Sequence, residues 1–167
     1  MTERDPETAA GRCVCGAVRY ELMAPPLIVH CCHCSWCQRE TGSAFAINAL
    51  IELSELNVLS GDLDELVLAS NSGQGQKIMR CRICDTRLWS HYAYAGIGEK
   101  VAFVRTGTLD NPDALPPDLH IYTASRQKWV LLPEHVPAHE AYYKASERWT
   151  PSALARRQRL FDSAATG

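Results

Sequence analysis

At 167 residues, 46% apolar and 22% charged, the chain has the size and composition of one folded domain with its own core. A net charge of −2 argues against a partner held by phosphate neutralisation, so no nucleic-acid partner is expected. No stretch reaches the ~18 apolar residues of a membrane span, and Met1 to Ala10 is too polar for a signal peptide, so no membrane partner is expected either and the expected setting is the cytoplasm, where thiols stay reduced.

Residues 1–10 read as a disordered tail. Val18, Tyr20 and Leu22 alternate as in a strand until Pro25-Pro26 breaks the run, and Leu27 to Cys31 is a second extended segment. Ser35 to Glu40 is predicted as a short helical turn that stops near Gly42. Strands follow at Ala44 to Leu50, Leu56 to Leu59 and Leu66 to Ala69, punctuated by Gly61, and a loop is expected over Asn71 to Gly75. Lys77 to Met79 leads into Cys81-Arg82-Ile83-Cys84, and Arg87 to Tyr92 leads out. Val101 to Val104, His120 to Thr123 and Trp129 to Leu132 are the remaining predicted strands, with an Asp- and Pro-rich loop between the first two. Helix is expected in parts of 138–148 and 151–161. The fold class is therefore mainly β, with the chain divided as a tail over 1–10, a metal-binding domain over 11–133 and a helical C-terminal extension over 134–167.

Eight cysteines in a reducing compartment point to metal before they point to disulfides. They sort into two constellations. Cys13 and Cys15 form a CxC pair, and Cys81 and Cys84 a CxxC pair. Each pair is half of a tetrahedron, from an extended segment in the first case and a turn in the second, so together they make a closed four-thiolate site for one zinc ion. Arg80, Arg82 and Arg87 stand where they could offset its negative charge. Cys32, Cys34 and Cys37 combine both spacings as C-x-C-x-x-C and supply three thiolates, the number that leaves one position open for water or substrate. Cys31 is expected in the core, because strand neighbours point to opposite faces. His33 and His30 are expected away from the metal. A double-CxxC site from Cys34, Cys37, Cys81 and Cys84 would leave Cys13, Cys15 and Cys32 without a role.

Gly11-x-Cys13-x-Cys15-Gly16-x-Val18-x-Tyr20, then Cys32-His33-Cys34-x-x-Cys37 with Gly42-Ser43-Ala44-Phe45, then Cys81-x-x-Cys84, resembles the glutathione-dependent formaldehyde-activating family, which includes the centromere protein V type of domain. Gly107-x-Leu109-Asp110 and His120-Ile121-Tyr122 followed by Trp129 extend the resemblance over about residues 11–133. It implies a β-tent fold of antiparallel sheets around a structural zinc held by Cys13, Cys15, Cys81 and Cys84. It implies a second, catalytic-type zinc on Cys32, Cys34 and Cys37, and so two zinc ions per chain. It further implies a carbon–sulfur lyase-type activity on the adduct of a small carbonyl compound with a thiol such as glutathione. One departure is Asp85, where a glycine-containing residue usually follows the late CxxC; Asp tolerates positive φ. Arg39, Arg105 and Arg126 are candidates for a cationic rim around an anionic thiol, His120 for an acid/base group, and Trp36 for a pocket wall. A small-thiol binding protein without chemistry, and an interaction domain in which zinc is purely structural, stay open beside the lyase.

Overall fold

The structure is a computed structural model that describes residues 9–69, 73, 75–92 and 98–165. The fold is mainly β. Its strands are β1 (Ala9–Arg12), β2 (Arg19–Leu22), β3 (Ile28–Cys32), β4 (Ala46–Glu52), β5 (Leu56–Ser60), β6 (Leu63–Leu68), β7 (Gln76–Cys81), β8 (Arg87–Tyr92), β9 (Val101–Arg105) and β10 (Leu119–Ile121). Helix α1 (Ser35–Thr41) follows β3, and α2 (Ala145–Arg148) and α3 (Pro151–Ala165) close the chain. Three strands form one sheet in the order β1-β2-β5, and seven form a second in the order β10-β3-β4-β9-β8-β7-β6.

The corner between the sheets is the turn from β5 to β6. Gly61 sits there with φ +85°, and a side chain would lie 2.4 Å from the Ala17 carbonyl oxygen, so only glycine fits. The larger sheet has a core on each face. Val29, Ala49, Ile51, Ala102 and Val104 point toward the smaller sheet, whereas Ile28, Cys32, Ala46, Leu50 and Val101 point the other way. This alternation explains why β3 is buried at all five positions.

The β-tent expectation of antiparallel sheets holds with one departure. β10 pairs with β3 in parallel, His120 opposite Cys31, which brings residues from opposite ends of the domain together. Three other expectations are corrected. Ala9 and Ala10, assigned to the tail, pair with Leu22 and Glu21; the rest of that tail, 1–8, lies outside the described residues, as do Asn71, Ser72 and Gln74 of the predicted loop. Residues 129–132 form no strand: no neighbour offers them a ladder, and Trp129 and Leu131 stand 70% and 87% exposed. Helix over 138–148 shrinks to the four residues of α2, because the backbone before it bonds to the open edge of β10, with His120 N–H on the Pro137 carbonyl and His139 N–H on the His120 carbonyl.

α3 starts where the sequence signals it. Pro151 occupies the first turn, and the Thr150 hydroxyl accepts from the Ala153 amide at 3.2 Å. Arg156 then ties the helix to the sheet, with two nitrogens on the Glu52 carboxylate and a third on the Pro25 carbonyl at 2.7 Å. Arg156→Ala would leave the nearly buried Glu52 carboxylate without its partner. The expected loss is about 2 kcal/mol, read as a fall of about 5 °C in Tm by circular dichroism.

Candidate metal centre

Cys13 and Cys15 occupy the turn between β1 and β2, whereas Cys81 ends β7 and Cys84 lies in the turn that leads to β8. The extended CxC expected from the sequence is corrected: it is a turn, since Gly16 N–H closes back on the Cys13 carbonyl at 3.0 Å. The four sulfurs lie within 4.8 Å of one another. Cys15 and Cys81 are 3.8 Å apart across 66 positions of chain. That is the edge of a tetrahedron with metal–sulfur bonds of about 2.3 Å. Backbone amides point at the sulfurs, Val18 N–H at Cys13 Sγ (3.3 Å) and Ile83 N–H at Cys81 Sγ (3.4 Å). The Thr86 hydroxyl and amide draw the Cys84 thiol down to about 5. Such donors suit thiolates and therefore a cation between them. The arginines expected to offset the charge are committed elsewhere: Arg80 to Asp64 and Asp85, Arg82 to Asp62 and Asp64, and Arg87 to Glu40. Asp85 takes φ +57°, so the departure from glycine is accommodated, and its amide closes the knuckle on the Cys81 carbonyl at 3.0 Å.

Cys32 ends β3, Cys34 caps α1 and Cys37 lies on its first turn. Their sulfurs also lie within 4.8 Å of one another. Cys34 Sγ accepts from the Cys37 amide at 3.3 Å, so one atom serves as helix cap and as candidate ligand. The backbone between the first two thiols is pinned at His33: its amide donates to Ile121 (2.9 Å), and its carbonyl accepts from Gln38 Nε2 (2.7 Å) and the Ser125 hydroxyl (2.9 Å). Hydrogen bonding with Cys32, then with Cys37, holds the Cys34 thiol far below its ordinary range, while Cys32 is pushed far up by the same sharing with Cys34 and Cys37 and by burial. Three sulfurs this close release their protons together only around a cation. None of the eight cysteines is in a disulfide.

The profile of the glutathione-dependent formaldehyde-activating enzymes matches residues 8–125, more than half of the chain. The chain belongs to this family. No curated protein sequence matches it. Among solved structures it is similar to a Rhodobacter sphaeroides protein known from a crystal structure, at 27% identity and a TM-score of 0.46, over 62% of this chain and 92% of that one.

Among the candidate basic residues, His120 and Arg105 require correction. Cys31, His33 and His120 converge on the face of β3 opposite Cys32, all buried, with His33 Nε2 at 2.9 Å from His120 Nδ1 and 3.5 Å from Cys31 Sγ. His120 is thus engaged with another imidazole and turned away from the three thiols, which removes the acid/base role suggested for it. Cys31 is in the core as expected, and His33 is away from the three thiols but buried. His30 faces the C-terminal extension. The Trp149 indole donates to the Tyr143 hydroxyl at 2.7 Å, and the same hydroxyl is hydrogen-bonded to His30 Nε2, also at 2.7 Å. Burial pulls His30 down to about 3, in keeping with a neutral ring.

Arg105 is not a rim cation. It is buried, and its guanidinium donates to Asn48 Oδ1 and to Glu40 Oε2. Arg87 holds the other oxygen of the same carboxylate at 2.7 Å. The Glu40 side chain is only 2% exposed, and it stands one turn beyond Cys37. A carboxylate on the helix that carries one thiol cluster thus meets an arginine three residues beyond the other. Arg39 is exposed on the last turn of α1, and Arg126 donates to the Val130 carbonyl. A cavity of about 760 Å³ opens beside Glu40, Phe45, Arg87 and Leu115, and no cysteine lines it. Trp36 projects from the three-thiol loop and donates its indole N–H to Gln76 Oε1 at 2.7 Å. Sequence reasoning missed Glu40 and Gln76. The i, i+3 spacing from Cys37 could have flagged Glu40; nothing local flags Gln76.

Proposed function

We propose that the chain is a zinc-dependent carbon–sulfur lyase that makes or breaks the adduct of a small carbonyl compound with a glutathione-like thiol. The observation that supports this reading is the difference between the two clusters: one brings four sulfurs together, the other three, with no fourth cysteine or histidine ligand atom beside them among the described residues. Cys13, Cys15, Cys81 and Cys84 would hold one zinc as structure, and Cys32, Cys34 and Cys37 a second, giving two per chain. Held by Cys32, Cys34 and Cys37, that second zinc would supply Lewis acidity that lowers the pKa of an incoming thiol.

The chain's own part is positioning. The pinned His33 backbone and the Cys34 cap fix the three sulfurs relative to β3 and α1, and the Glu40 contacts fix α1 to β8 and β9. In the forward direction the thiol sulfur bonds to the carbonyl carbon, and the thiol proton ends on the carbonyl oxygen; the reverse step returns both partners. The family's description names glutathione and formaldehyde, which we take as the first pair to test. No helix among the described residues is long and apolar enough to cross a membrane. Eight unpaired thiols suit a reducing compartment, and we place the protein in the cytoplasm.

The test is exchange between glutathione, formaldehyde and S-hydroxymethylglutathione, followed by magnetisation-transfer NMR with zinc-loaded protein. The expected result is exchange accelerated by the wild type and not by Cys34→Ala. Equal exchange with and without protein, across a panel of thiol–aldehyde pairs, would contradict the proposal. Glutathione binding by calorimetry without acceleration would identify a thiol-binding protein instead.

A further inference from the structure

On the sheet face that carries Cys32, the uncharged groups Gln76 Nε2 and Ser90 Oγ have no hydrogen-bond partner among the described residues. Both side chains are buried, Gln76 to 1% and Ser90 to 0% exposure. An unpaired buried donor is costly, so most folds satisfy or replace it.

Their placement follows from the strand register. Ser90 lies opposite Phe103, and Gln76 opposite Tyr92. Ser90 and Tyr92 share one face of β8, which makes Gln76 and Ser90 diagonal neighbours across the β7–β8 pair. Phe103 and Cys34 both pack against the core cluster that contains Cys32 and Cys37, and the Phe103 ring meets that of Tyr92 at 4.9 Å. The orientation of Gln76 is set by Trp36, inside the three-thiol loop. An indole N–H only donates, so the amide oxygen of Gln76 must face it and the amide NH₂ must face elsewhere. What remains is one amide donor of fixed orientation beside the three-thiol loop, and one hydroxyl diagonally across from it, between Ile78 and Phe103.

We propose that Gln76 Nε2 and Ser90 Oγ form the hydrogen-bonding site for the oxygen of the carbonyl unit while its carbon is bonded to the thiol sulfur. This rests on the function proposed above. The ligand class is a hemithioacetal, whose hydroxyl oxygen can accept from both groups; a thioether of the same size has no oxygen to offer. A donor pair held in a desolvated site discriminates between two such ligands more strongly than a solvated one does.

The experiment uses full-length zinc-loaded protein and two probes in calorimetry: glutathione in excess formaldehyde, present as its S-hydroxymethyl adduct, and S-methylglutathione, which lacks that oxygen. The wild type is expected to bind the hydroxymethyl adduct at least tenfold tighter. Ser90→Ala is expected to shrink that ratio about tenfold, leave S-methylglutathione affinity and zinc content unchanged, and raise the Tm of the free protein, because an unsatisfied hydroxyl leaves an apolar row. Ser90→Thr is expected to restore part of the ratio. Gln76→Met is the second probe, expected to reduce the ratio in the same direction. An unchanged ratio in both Ser90→Ala and Gln76→Met would overturn this inference and leave the lyase reading standing. A wild type that binds neither ligand would overturn the lyase reading, and this inference with it.

Discussion

Cys81→Ser is expected to leave a chain without a cooperative thermal transition. Cys81 is fully buried at the end of β7, in the same core cluster as Cys13, Val18 and Tyr20. Its sulfur sits 3.8 Å from Cys15 and receives the Ile83 amide. Structural zinc sites contribute roughly 10–16 kcal/mol, whereas the net stability of a domain is about 5–15 kcal/mol. Loss of one of four ligands in a buried cluster therefore removes a share of stability comparable to the whole. The measurement is near- and far-ultraviolet circular dichroism on heating, with metal content before and after chelation. A sharp transition close to the wild-type Tm would mean that the four sulfurs are packing partners rather than ligands.

Glu40→Ala should be the most damaging change outside the cysteines. It would leave two guanidiniums facing each other with no carboxylate between them, and Arg105 has almost no access to water. Breaking a buried ion pair from one side costs about 3–5 kcal/mol, which corresponds to a fall of roughly 10 °C in Tm for a chain of this length. Glu40→Gln keeps the shape and should cost less. Because Glu40 fixes the helix that carries Cys37, both variants are expected to lose metal from the three-thiol cluster at chelator concentrations that the wild type withstands, while the four-thiol cluster stays loaded. Competition with a chromophoric zinc chelator reads both steps. Identical release curves for wild type and Glu40→Ala would show that this contact is unrelated to the thiol cluster.

Much of the site was legible because its grammar is local. CxC and CxxC bring sulfurs together within a turn, and both pairings expected from the spacing are the pairings that converge, Cys13 and Cys15 with Cys81 and Cys84, and Cys32 and Cys34 with Cys37. The β class was legible for the same reason: Val18, Tyr20 and Leu22 alternate, and Gly61 marks a corner that tolerates no side chain. What escaped depends on partners distant in sequence. The parallel pairing of β10 with β3 takes His120 to Cys31 and away from the three thiols, and no periodicity near either residue announces it. Arg105 looked like a free surface cation until β9 was seen to carry it under α1. The segment over 138–144 has helical composition, but the exposed edge of β10 claims its backbone. Local propensity lost there to unpaired amide and carbonyl groups.

The most direct test is the zinc content of the purified chain by inductively coupled plasma mass spectrometry, for the wild type and for Cys34→Ala. Two ions per chain in the wild type, and one in a variant that keeps its circular dichroism spectrum, are the predicted values. A single ion in the wild type, or two retained after Cys34 is removed, would contradict the division of seven thiols into a closed set of four and an open set of three.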